Sequence, residues 1–253
     1  MAWDRDLGDQ PEPAYRDHAP DILAPIDESA PVSGHRPPPP ERTVAPSEAP
    51  EHDFEAAAPL LLPLLRLAEL SGTRLAELDA AQLASEGMKT HAQPIVDDGP
   101  EGLVVAYVLR AGGFDVLVNA DHLLAWAVEP DAVRGAAMAN LARWSSTAPW
   151  TDEVSGHRRL ISSATGEGGD AARILLPDVR AHLVDELGAG AGTRVLVGLP
   201  ERHLLVAGTL VAGDDEFAAL FADFVLEHAG GADEPLDRRI HELVGGVLVP
   251  FTG

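Results

Sequence analysis

The rhythm of apolar and polar positions changes near residue 56, and the chain beyond it reads as a series of short amphipathic elements. The leucines of Leu60–Leu70 predict a helix, begun or bent at Pro63 and stopped by Ser71-Gly72. Thr73–Ser85 predicts a second, with Leu75, Leu78 and Leu83 apolar, so residues 56–87 form a helical lead-in. Residues 88–96 read as a strand. Leu103–Arg110 and Phe114–Asn119 read as two strands joined at Ala111-Gly112-Gly113. A helix opens at Pro130 and presents Val133, Ala137, Leu141 and Trp144 on one face.

The second half repeats the mixture. Arg158–Ala164 predicts a strand, Gly166–Gly169 a turn, and Asp170 an N-cap for a helix over 171–187. That helix carries Leu175, Val179, Leu183 and Leu187 on one stripe, is broken or kinked at Pro177, and stops at Gly188. Arg194–Leu199 and His203–Leu210 form a hairpin around Pro200-Glu201. Asp214–His228 has the clearest helical period, with Phe217, Leu220, Phe221, Phe224, Val225 and His228 at i, i+3, i+4, i+7, i+8 and i+11. Leu243–Phe251 closes the chain as a strand, bulged at its glycines. Hairpins with helices between them predict an α+β domain over 56–253, its sheet mainly antiparallel.

Residues 1–55 have no such period. Eleven of the 21 prolines fall in residues 1–50, and acids outnumber bases by 13 to 4 over residues 1–58. Such a segment buries too little apolar surface to offset its ordering entropy, which predicts a disordered acidic arm. As a flexible coil it spans roughly 40 Å. Trp3 and the pair Ile22-Leu23 are its apolar islands and its candidate docking motifs.

The net charge of −23 argues against nucleic-acid binding, which requires a basic face. The absence of cysteine excludes disulfides, zinc–thiolate sites and a cysteine nucleophile. No signal-like or membrane-spanning run is read, so a cytoplasmic location and no membrane insertion are expected. One lysine among 18 cations points to a GC-rich bacterial genome.

The chemistry-bearing residues are few and scattered. Gly166-Glu167-Gly168-Gly169-Asp170 precedes a helix but carries two acids and no G-K-[ST], so a structural turn is expected, not a phosphate loop. Gly188–Gly192 follows a helix and precedes a strand, the reverse of a dinucleotide loop. Asp121-His122 and His157 have no metal-ligand spacing, and neither metal nor cofactor is expected. Trp126 and Trp144 read as core. Trp150, between Pro149 and Thr151, reads as an exposed anchor. Arg158, Arg159 and Arg173 are concentrated cations that bind an anion or pair with Asp152, Glu153 and Asp170.

In their order, Asn140-Leu141, Gly169-Asp170, Ala172-Arg173-Ile174-Leu175 and Leu199-Pro200 resemble the YtpQ-like proteins, an uncharacterised bacterial family, over residues of about 88–250. The resemblance implies no activity, substrate or catalytic residue. The leading expectation is a non-enzymatic protein-interaction module, adaptor or chaperone-like, with an acidic docking arm and a protein partner. The rival is a small-ligand-binding or hydrolytic enzyme with its site near Trp150, His157, Arg158 and Asp170, Arg173 adjoining. A third reading is an acidic mimic occupying a basic partner's nucleic-acid site.

Overall fold

Alternating strand residues divide between two faces of a sheet, and each face needs a cover. The computed structural model describes residues 53–69, 72–79, 81, 85, 93–100, 102–111, 114–188, 190 and 192–253. The arm over 1–55, with Trp3, Ile22 and Leu23, lies outside them except for its last three residues.

Eleven strands form two sheets, with five α-helices, among the described residues. The first sheet contains β1 (Leu61–Leu67), β2 (Thr73–Arg74), β3 (Ile95–Asp98), β4 (Leu103–Ala111) and β5 (Phe114–Leu117). β4 lies between β1 on one side and β3 with β5 on the other, all antiparallel to it, while β2 runs parallel to β3. The second sheet has the order β11-β10-β8-β9-β7-β6 and is antiparallel throughout. Its strands are β6 (Thr151–Ser155), β7 (Arg158–Ser163), β8 (Arg194–Glu201), β9 (Leu204–Leu210), β10 (Ile240–Val244) and β11 (Val247–Pro250). The helices are α1 (Phe54–Ala57), α2 (Ala120–Trp126), α3 (Pro130–Ser145), α4 (Pro177–Leu187) and α5 (Asp215–Gly231). This is the α+β, mainly antiparallel architecture that the pattern predicts.

Several elements differ from expectation. Leu60–Leu70 is not a helix: Leu61–Leu67 is β1, paired over its full length with β4. Leu61, Leu64 and Leu65 are all buried, so side chains of both parities are covered and the run loses the alternation of a half-buried strand. Of Thr73–Ser85, residues 73–79 form β2 and a 3-10 turn over Leu75–Glu77. Leu243–Phe251 is a hairpin end, not one strand. Gly245 and Gly246 both have positive φ, 58° and 80°, as a two-residue turn between β10 and β11 demands. The β8–β9 turn lies at Arg202-His203, and Pro200 stays within β8 beside a register shift.

One core joins both halves. Val133, Ala137 and Leu141 of α3 pack with Leu61, Leu65 and Tyr107 from the first sheet. The same cluster holds Leu183 and Leu187 of α4 and Val195, Val197, Leu205 and Ala207 from the second sheet. Arg134 of α3 forks onto Asp97 of β3 at 2.8 and 2.9 Å, and Tyr107 Oη donates to Asp97 at 2.5 Å. Burial works to raise the Asp97 carboxyl, but these hydrogen bonds hold it below the usual range. Asn140 Nδ2 donates to the Ala58 and Leu61 carbonyls at 2.7 and 2.9 Å and ties α3 to the start of β1.

The opposite face of the second sheet has its own cover. Leu196, Val206, Leu210 and Ile240 pack under Phe217, Phe221 and Val225 of α5. Two glycines set the separation. A Cβ on Gly198 would lie 2.4 Å from Val225 Cγ2, and one on Gly208 would lie 2.8 Å from Phe217 Cζ. Gly198→Ala is therefore expected to destabilise the protein by about 1–3 kcal/mol, the usual cost of overpacking. Urea unfolding should show a smaller penalty for the same change in a Val225→Ala background, because the opposing methyl is gone.

Candidate functional site

The sequence-predicted residues fall into two clusters at opposite ends of β7. Arg158 begins that strand and Ser163 ends it. Five residues of extended chain separate them by about 17 Å.

The first cluster is buried and gathers Trp150, Asp170 and Arg173. Arg173 is 1% exposed and Asp170 is fully buried. Arg173 Nη1 donates to Ser163 Oγ at 2.8 Å, and Ser163 Oγ donates to Asp170 Oδ1 at 2.6 Å. Asp170 Oδ2 also accepts from Thr165 Oγ1 at 2.9 Å, and Oδ1 from the Thr165 N–H at 3.0 Å. Arg173 Nε and Nη2 reach Ser145 Oγ and the Ser145 carbonyl at 3.0 and 3.1 Å. The guanidinium thus meets the negative end of α3. Its carbon lies 3.6 Å from the centre of the Trp150 ring, whose centre is 5.5 Å from that of the tilted His182 ring. Burial pushes the Arg173 guanidinium down to about 10, against the attraction of Asp170, so it stays charged at neutral pH.

This arrangement corrects two expectations. Asp170 is no N-cap: its backbone is helical and its side chain makes no cap bond to the 3-10 turn Ala171–Leu175 that follows. Pro177 instead starts α4 at its first position. Trp150 is no exposed anchor, since it is half-buried beneath the cation it stacks on. Trp126 is buried against Phe54, as a core residue should be. Trp144 is half-buried and donates its Nε1–H to Glu167 Oε2 at 2.5 Å. His122 accepts from the Asn119 N–H through Nδ1 and so completes the capping box of α2.

The second cluster lies at the surface. Arg158 grips Asp214 with two bonds, Nε–Oδ2 at 2.9 Å and Nη2–Oδ1 at 2.7 Å, and reaches Glu216 at 2.8 Å. His157 Nε2 lies 2.9 Å from Asp214 Oδ2. Asp214 also caps α5, accepting from the Phe217 N–H. The Arg158 guanidinium above all, with His157 and that N–H, holds the Asp214 carboxyl well below the usual carboxylate range despite desolvation. One carboxylate therefore fastens the β6–β7 turn to the start of α5. Arg159 turns to the other face of the sheet and pairs with Asp152 and Glu186.

The fastening holds open a groove of about 400 Å³ between α5 and the edge of the sheet. Its floor is Leu160, Val206, Phe217 and Phe221. Leu220 and Phe224 line the helix side, and Glu153 and Val154 of β6 the strand side. Leu220 and Phe224 are 53% and 38% exposed, so an apolar surface faces solvent. All five residues of β6 are exposed, and β6 pairs only with β7 among the described residues. Sequence reasoning missed this edge, because Thr-Asp-Glu-Val-Ser carries no apolar alternation. The exposed half of the α5 stripe was the one signal available. No family model matches the chain, and no curated protein or solved structure does.

Two outcomes are expected. Replacing Arg173 with Met alone should cost about 3–5 kcal/mol, because it leaves Asp170 buried without its cation. Asp170→Asn in the same chain should recover part of that loss in denaturant unfolding, since a buried neutral amide costs less than an unpaired carboxylate. The Asp214 anchor has a depressed folded-state pKa, so it acts fully above about pH 4 and is lost as the pH falls further. Hydrogen exchange should show β6–β7 amides losing protection in strong acid. Asp214→Asn should exchange faster at pH 7 already, with a smaller change on acidification.

Proposed function

We propose that the protein is a non-enzymatic protein-interaction module, adaptor or chaperone-like, whose docking surface is the groove between α5 and β6. One observation carries this reading: a sheet edge unpaired among the described residues and exposed large apolar side chains line the same groove. A sheet edge offers backbone donors and acceptors, and an adjacent apolar groove offers side-chain pockets. In the same reading the acidic arm, with Trp3 and Ile22-Leu23, supplies a further docking segment, and the protein acts in the cytoplasm. No helix among the described residues is long and apolar enough to cross a membrane.

The rival reading, a ligand-binding or hydrolytic site near Trp150, His157, Arg158 and Asp170, has less support. It needs those residues in one place, and β7 separates Asp170 from His157 and Arg158. The resemblance to YtpQ-like proteins remains a proposal that adds no activity. The residues that carry it, Asn140, Asp170 and Arg173 among them, hold the fold together.

A peptide library displayed on phage and panned against the full chain tests the module. Selected peptides are expected to lose about tenfold or more in affinity with Leu220→Glu and with Phe224→Ser. Leu220 is 53% exposed, so its urea midpoint should hardly move, whereas Phe224 packs on His228 and its change should cost about 1–2 kcal/mol without unfolding the chain. Failure to select any peptide sensitive to these two changes would overturn the proposal.

A further inference from the structure

The other sheet edges are blunted in ways that β6 is not. β1 carries Pro63 within it, β11 ends in Pro250, β2 has two residues and β5 four. β6 has five residues without proline, in regular register with β7 over five consecutive pairs and without a bulge. Proline, shortness and bulges are the usual protections of an edge, and β6 lacks all three. Its one protection is charge, and that charge is negative: Asp152 and Glu153. Asp152 is matched by Arg159, whereas Glu153 carries no ion pair among the described residues.

The acids continue along the facing helix. Glu216, Asp223 and Glu227 lie on one stripe of α5 with Leu220, at i, i+7 and i+11 from Glu216, and all are exposed. The groove's own cation, Arg158, is already neutralised by Asp214 and Glu216. The groove is thus apolar at its floor, with Glu153 on its strand side and the α5 acids on the exposed stripe beside Leu220, in a chain of net charge −23.

Resting on the interaction-module reading, we infer that the groove's occupant is an extended segment of a basic partner, which adds a strand to the sheet beside β6. An added strand lies about 4.8 Å from β6 and points alternate side chains to opposite faces. Apolar side chains of one parity enter the groove against Leu220 and Phe224. A lysine or arginine on the groove face pairs with Glu153, those of the other parity lie on the opposite face with Asp152, and those at the ends meet the long-range field of the acids. The backbone supplies affinity and the alternation supplies selectivity.

The test uses the full chain and a fluorescein-labelled peptide of about ten residues alternating leucine with lysine, long enough to cover β6. Its comparison peptides replace lysine with glutamate, or rearrange the same residues to a helical period. Two further versions carry N-methyl groups on every second amide, one version for each parity. The alternating lysine peptide is expected to bind by fluorescence anisotropy, more weakly as salt rises. Reversing both acids of β6, one on each face, with Asp152→Lys and Glu153→Lys together should weaken it about tenfold. N-methylation of one parity should abolish binding and of the other should spare it, because only alternate amides face β6.

Equal binding of the glutamate peptide or the helical-period peptide overturns the inference, as does indifference to both N-methyl patterns. If the lysine peptide fails while library-selected peptides still bind and still require Leu220 and Phe224, the basic-strand inference falls and the module stands. If neither kind binds, both fall.

Discussion

The buried cation Arg173 fastens the end of α3 to the second sheet. The Arg173 guanidinium bonds to the C-terminal end of α3, to Ser163 at the end of β7 and, through Ser163, to Asp170. Each partner comes from a different element, so none can shift without stranding a polar group away from water. Such networks add little net stability compared with a well-packed apolar core, because desolvating the charges is costly. What this one specifies is arrangement. It sets the end of α3 against the second sheet, with Trp150 closing the guanidinium face.

That arrangement determines which surfaces are covered. α3 and α4 fill the space on one face of the second sheet, and α5 alone covers the other. Gly198 and Gly208 bring α5 down tightly over β8 and β9. The helix is too narrow to reach the sheet edge as well, and the β6–β7 end stays open. Asp214 then stabilises the opening, by capping α5 and holding Arg158 at once. The groove is a consequence of one helix packed over β8, β9 and β10 of a six-stranded sheet, fixed in place by a carboxylate.

Much of the fold was legible, and its failures have identifiable causes. α3, α4 and α5 were visible because their apolar spacing matches the helical period, and Pro130 marks the first position of α3, whereas Pro177, read as a break inside a longer helix, starts α4. β4, β8 and β9 were visible as β-branched runs. β1 was read as a helix because leucine favours helices and burial of both parities erases the alternation that marks a strand. β6 has no apolar signal and is a strand only through its pairing with β7. Asp170 has the sequence position of an N-cap but the environment of a buried network member. Of the site residues, Arg158 lines the groove, while Trp150, Asp170 and Arg173 belong to the framework.

The chain by itself determined the type and place of α3, α4, α5, β4, β8 and β9, because period, proline position and glycine position act over a few neighbouring residues. It also determined the acidity, since charge is additive along a chain. Tertiary structure alone decided which carboxylate each arginine meets and which half of the α5 stripe is covered. Those outcomes depend on contacts between residues 56 to 58 positions apart, as in Arg158 with Asp214 and Glu216, which no local pattern encodes.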